Sequence, residues 1–222
     1  MPRMQKGDFV EVEYTGRLKE ENLVFDTTDE KLAKEAEIHS PNMSYGPLTI
    51  CLGQGQLIPG LEKELEGKET EKEFKIELAP ENAFGKKDAK LIRMIPFSAF
   101  KKQNIMPQPG MQVNVDNVMG IIKTAAGGRC LVDFNHPLSG KHIVYTIKAN
   151  RIVTDDKEKI KSFLLLSLNL KDMSVDVKEG KAEITSKKEV PKEIQDMLSA
   201  QLKELIPSIK EISFKAEKES KK

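Results

Sequence analysis

Cysteine is almost absent from this chain. Cys51 and Cys130 lie far apart, with no C-x-x-C and no metal-ligand spacing, so they read as small buried hydrophobes of a reducing compartment. Histidine is equally scarce. His39, His136 and His142 show no ligand spacing among themselves, which argues against a metal centre. No serine or cysteine stands in a nucleophile-elbow context, so covalent hydrolysis is not indicated. A charge surplus of one sign is missing too: 36 basic residues against 35 acidic ones leave a net +1. That balance supplies no argument for a nucleic-acid or membrane partner. The longest apolar run, "FLLLSLNL" at 163–170, is too short to cross a bilayer, and the N-terminus carries no apolar signal segment. The expectation is a cytoplasmic protein.

Apolar residues make up 38% of the chain, enough for a core beside the 32% that are charged, and 222 residues allow up to three small domains. Three textures follow one another. In "FVEVEYTGRL", Val10, Val12 and Tyr14 alternate with Glu11 and Glu13, as a half-buried antiparallel strand requires. Short strands follow at "LVFDTT", "PLTICLG" and "EKEFKIEL". A short helix at "LEKELEGK" has Leu61 and Leu65 four apart and Gly67 as its stop. From about Asp88 the chain turns Pro- and Met-rich, then gives three strand-like runs, "MQVNVD", "VMGIIKTA" and "RCLVDF", with "AAGG" as the tight turn before the last. "HIVYTIKANRIV" returns to the first texture. After Asp155 an α-β-β-α-β order is expected. Its first helix has apolar positions 160, 163, 164 and 168. Its second, behind Pro191, sets Ile194, Met197, Leu198, Leu202 and Leu205 on one face.

One stretch resists a simple reading. "CLGQGQLIPGLEKEL" holds half of a G-x-G-x-x-G, but position 58 is Ile where the third glycine belongs, and Pro59 removes an amide that phosphate binding would use. A dinucleotide loop is therefore rejected, and no cofactor is implied.

Taken together, "YTG", "FD", "LGQGQLIPGLEKEL" and "APENAFG", closed by "HIVYTIK", resemble the FKBP-type peptidyl-prolyl cis-trans isomerases in order and spacing. The resemblance covers about residues 4–92 and 137–153. The inserted segment, ending in "VDFNHPLSGK", resembles the flap of the SlyD-like branch, and the extra C-terminal segment resembles its long archaeal members. The resemblance implies an α+β fold: an antiparallel half-barrel around one short helix (1–88 and 138–154), an inserted mainly-β flap (89–137) and a small α+β C-terminal domain (155–222).

It also implies an isomerase that needs neither nucleophile nor metal. Tyr14, Phe25, Asp26, Ile58, Phe84 and Tyr145 carry over as catalytic positions, and Leu48, Leu57 and Leu61 as substrate-binding ones. Rotation about an amide meets a barrier of ~18–20 kcal/mol because resonance must be broken. The twisted state is less polar than either planar form, so a dry apolar pocket favours it. The Ile58 N–H could hold the substrate carbonyl. Asp26 either orients the site through Tyr14 or meets the twisted carbonyl itself. Two positions depart from the family: Leu61 stands where Trp is common, which widens the pocket, and Phe84 stands where Tyr is common, which removes a hydroxyl donor. A modest rate on short peptides follows.

The flap residues Val118, Met119 and Ile121, with the Met106–Met111 stretch, are candidates for holding unfolded or nascent polypeptide clients, because methionine repacks around varied partners. "KSFLLLSLNL" is more apolar than so small a module needs, which suggests a homodimer through the C-terminal domain or a second client surface. A non-enzymatic holdase, or a docking and assembly factor on the same fold, stands as the alternative. The tail lacks the His/Cys-rich metal tract of some SlyD-like proteins.

Overall fold

In the computed structural model, described for residues 1–101, 104–168, 173–187 and 190–216, each stretch of apolar–polar alternation becomes a strand. The first run of elements is β1 (Phe9–Leu18), β2 (Val24–Thr27), α1 (Glu30–Glu35), β3 (Leu48–Cys51), α2 (Pro59–Leu65) and β4 (Lys72–Leu78). The middle run is β5 (Ile92–Pro96), α3 (Phe97–Lys101), β6 (Gln112–Val115), β7 (Val118–Ala126) and β8 (Arg129–Asp133). The last is β9 (Ile143–Ile152), α4 (Asp156–Leu168), β10 (Met173–Lys178), β11 (Lys181–Ser186), α5 (Lys192–Leu205) and β12 (Glu211–Ala216). Two compact units result, one from residues 1–77 and from 144 onward, the other from 78–143.

The first unit holds a five-stranded sheet in the order β2-β1-β9-β4, with β3 also pairing β1. One edge of β1 is shared. Its first half pairs β3 from Phe9↔Cys51 to Val12↔Leu48, and its second half pairs β2 through Thr15↔Thr27 and Gly16↔Asp26. The register shifts between Gly16 and Arg17, a bulge that turns β2 relative to β3. Val10 and Val12 are fully buried, as the alternation requires, and so are Leu61 and Leu65 on the inner face of α2.

The C-terminal elements follow the α-β-β-α-β order. A hairpin joins β10 to β11 at Glu179 and Gly180, both with positive φ, and β12 adds to β11 in parallel. The parallel pairing has a simple cause: α5 crosses over between the two strands. The module shares its core with the first sheet. Phe9, Cys51 and Val153 belong to the same buried cluster as Ile160, Phe163, Leu164, Leu198 and Leu202. Phe163 and Leu164 of the apolar run "FLLLSLNL" thus have partners within the chain. Met197 departs from the expected apolar face of α5; it is 51% exposed, turned away from Leu198 and Leu202. The side chain of Leu168, the end of "KSFLLLSLNL" and the tail after Ala216 lie outside the described residues.

The second unit carries a four-stranded sheet, β5-β8-β7-β6, around Phe100, Val113, Ile122, Cys130 and Val132. Three strands are legible in the sequence; β5 and α3 are not. Pro96 ends β5, whose single sheet partner is β8, so its missing N–H falls where an edge strand tolerates it.

Candidate active site

The bulge at Gly16 opens a space on β1, and two rings fill it. A Cβ on Gly16 would lie 2.8 Å from Phe25 Cζ and 2.8 Å from Tyr145 Cε1. Only glycine lets these rings approach the strand so closely. Phe25 and Tyr145 meet edge to face at 5.7 Å and 87°, and Tyr14 meets Tyr145 at 5.7 Å and 69°. The Tyr145 hydroxyl donates to Asp26 Oδ2 at 3.2 Å across 119 residues of chain. The structure therefore brings together Tyr14, Phe25, Asp26 and Tyr145, with Tyr145 buried and the other three half-buried.

This cluster places one carboxylate among phenols. Burial raises the Asp26 pKa above its ordinary value, against hydrogen bonds from Tyr145, the Thr27 amide and Tyr14 that pull it down. Both phenols are pushed well above the usual tyrosine range, first by burial and then by the Asp26 charge. Each hydroxyl therefore stays protonated at neutral pH and serves as a donor.

The chain between β3 and α2 forms a second group. Gly53 and Gly55 take positive φ, and Leu57 and Ile58 follow, both half-buried, with Leu61 beneath them in the core. The Ile58 carbonyl accepts the Leu61 and Glu62 amides and so begins the helix. Three successive backbone positions then differ sharply. The Leu57 N–H is taken by Glu62 Oε1 at 3.1 Å, Pro59 has none, and among the described residues no acceptor faces the Ile58 N–H. Leu48, at the start of β3, is half-buried opposite Val12.

The remaining expected residues lie in the second unit. Phe84 stacks on His136 at 4.8 Å and 4°, and its carbonyl accepts the Ser139 hydroxyl at 3.0 Å. On the sheet of that unit, Val118 and Met119 are exposed at 49% and 57%, while Ile121 is half-buried. Met119 and Ile121 alternate with the core positions Gly120 and Ile122, so they face away from that core. Met94, Met106 and Met111 are exposed as well.

Sequence reasoning missed three things here. Gly16 was visible only as the last letter of "YTG"; a glycine inside an alternating strand is the signal that could have found it. Glu62 reads as a helix-surface residue, yet it is 9% exposed. Tyr145, as well as the expected Tyr14, bonds to Asp26, a pairing with no trace in local sequence. Among the described residues no group of three or more His, Cys, Asp or Glu could hold a metal ion.

Comparison with known proteins identifies the family. The family model for FKBP-type peptidyl-prolyl cis-trans isomerases matches residues 1–99, and a model described as the FKBP26 IF domain matches residues 93–138. The chain is 34% identical over 155 residues to the short-type peptidyl-prolyl cis-trans isomerase of Methanocaldococcus jannaschii, covering 70% of this chain and 98% of that one. It is 33% identical over 117 residues to the FKBP-type isomerase SlyD of Vibrio cholerae, covering 50% of this chain and 58% of that protein. A probable FKBP-type 16 kDa isomerase of Pseudomonas fluorescens is 32% identical over 107 residues, 46% of this chain and 70% of its own length.

Proposed function

Because this chain belongs to the FKBP-type peptidyl-prolyl cis-trans isomerase family and is an isomerase of that kind, we propose that it turns Xaa-Pro bonds of unfolded or nascent chains at the Tyr14–Phe25–Asp26–Tyr145 cluster and the 57–61 loop. The observation that carries this reading is the Ile58 N–H, left without an internal acceptor between an occupied amide and a proline. A substrate carbonyl is the natural partner for such a group. Leu57, Ile58, Leu61 and Phe25 provide an apolar surface for the proline ring, with Leu48 assigned to the residues that flank it. Desolvation there favours the twisted amide, which has lost its resonance and its charge separation. Asp26 serves as an orienting group: its hydrogen bonds to Tyr145 and Tyr14 favour that role over direct contact with the carbonyl.

The inserted segment, residues 89–137, is assigned to client binding, and the protein to the cytoplasm. Exposed Met94, Met106, Val118 and Met119 support the first assignment, because a flexible thioether surface accepts varied chains and raises the concentration of prolines near the site. The flap, the isomerase strands (1–88 and 138–154) and the C-terminal segment (155–222) each own a sheet, which supports three modules. No helix among the described residues is long and apolar enough to cross a membrane.

The test compares isomerisation of a short Xaa-Pro peptide with catalysis of a proline-limited refolding reaction. Deleting 89–137 is expected to preserve the first and depress the second; undiminished refolding catalysis sinks the client-binding assignment. Unchanged peptide rates in both Asp26→Ala and Tyr14→Ala sink the pocket assignment.

A further inference from the structure

Glu62 is an acidic side chain in an unusual position. It sits one turn inside α2, 9% exposed, and among the described residues no cation pairs with it. Its carboxylate instead reaches back over the loop that precedes its own helix. Oε2 accepts the amides of Gly53 at 3.0 Å and Gly55 at 3.4 Å, and Oε1 accepts that of Leu57 at 3.1 Å. Gln56 adds a bond of its own, its Oε1 accepting the Cys51 amide at 2.7 Å. Side chains thereby tie down the amides of Cys51, Gly53, Gly55 and Leu57, the carbonyls of Asp8 and Cys51 take those of Leu52 and Gln54, and the amide after Leu57 belongs to Ile58.

A buried carboxylate without a counter-charge is costly unless several donors share it. Three amides do so here, and together they fix the path of the loop up to Leu57. With the Leu57 N–H bonded to Glu62 and Pro59 unable to donate, the Ile58 N–H is the donor left without an acceptor, among the described residues, at the entrance to the helix. We propose that Glu62 is a positioning residue of the isomerase, setting the 53–58 loop so that Ile58 offers its N–H, and Leu57 and Ile58 their side chains, to the peptide. The proposal rests on the reading that this loop contacts substrate.

The loop's grip acts on planar and twisted substrate alike, so loosening it raises KM more than it lowers kcat. A simple folding defect does the reverse: it removes active enzyme and lowers the apparent kcat at constant KM. The experiment measures kcat and KM separately on a short Xaa-Pro peptide for the full-length wild type, Glu62→Gln, Glu62→Ala and Ile58→Ala. Amide exchange at Gly53 and Leu57 is followed in parallel. Glu62→Ala is expected to raise KM about tenfold with kcat nearly unchanged and to lose amide protection at both positions. Glu62→Gln, which keeps one acceptor oxygen, is expected to fall between it and wild type, and stands in for it if the alanine variant does not fold. If Ile58→Ala raises KM and the Glu62 variants leave it unchanged, Glu62 is structural and the proposal is overturned. If none of the variants moves KM, the loop does not contact substrate, and both the proposal and the reading beneath it fail.

Discussion

Gly16→Ala adds a single methyl group, and the structure says what it would strike. The new Cβ would sit 2.8 Å from Phe25 Cζ, 2.8 Å from Tyr145 Cε1 and 2.9 Å from Tyr145 Cζ. Both rings must retreat by about half an ångström or more to restore ordinary carbon–carbon contact. Overpacking of this kind costs about 1–3 kcal/mol. The stiffer unfolded chain returns about 0.4–1 kcal/mol, so a net loss of about 1–2 kcal/mol in urea unfolding is expected. Activity falls further than stability. The Tyr145–Asp26 bond is already long at 3.2 Å, and the retreat of Tyr145 carries it out of hydrogen-bonding range. Losing a bond to a charged partner lowers kcat/KM by roughly tenfold, read by NMR exchange on an Xaa-Pro peptide. Adding Phe25→Leu to Gly16→Ala should recover part of the stability, because one of the two clashes is relieved, without recovering the rate. Wild-type stability together with a wild-type rate in Gly16→Ala would show that the rings are not held by this glycine.

Further outcomes follow from the same structure. Burial raises the Asp26 pKa above its unfolded value, so its contribution to stability is full below the ordinary aspartate range and is lost as pH rises through the folded pKa. Asp26→Asn should therefore gain in melting temperature over wild type as pH rises toward neutral, and parallel melting curves across that window would contradict the burial argument. The isomerase rate should fall as pH drops through the same titration, above the ordinary aspartate range, and the fall should be absent in Asp26→Asn; identical pH profiles would remove Asp26 from the site. The Cys51 thiol is fully buried and pushed up to about 11 by that burial and by nearby Glu62 and Asp8, so native protein should label slowly with a thiol reagent. Leu164→Ala, in the cluster that contains Cys51, should cost about 2–5 kcal/mol and speed that labelling; an unchanged rate would mean Cys51 is reached without opening the shared core.

Much of the half-barrel could be read from period alone, since Val10, Val12, Ile76 and Leu78 alternate with charge and are buried as the alternation demands. The site was legible mainly through the joint order of its motifs, because Gly16 inside an alternating strand and Ile58 before Pro59 signal little one at a time. Most of what escaped depends on contacts between distant parts of the chain. The Tyr145–Asp26 bond spans 119 residues. The partners of Phe163 and Leu164 include Phe9 and Cys51, so part of the apolar run that suggests a second copy is satisfied within one chain. Strand β5 escaped for a local reason instead, its alternation blurred by Pro96 and by apolar residues on both faces.

The shared core also sets an order in time. Phe9 leaves the ribosome almost two hundred residues before Leu202 and Ile206, which belong to its cluster. At ~5–20 residues per second that interval is roughly 10–40 s. During it the outer side of β1 and β3 has no cover of its own, although every strand of the isomerase sheet has been made once Ile152 emerges. Ribosome-bound chains arrested after residue 154 should leave Cys51 open to a thiol reagent, and chains that extend well past Ile209 should close it. A protein assigned to the care of nascent chains thus spends its own synthesis as one, with its earliest strand waiting for its last helix.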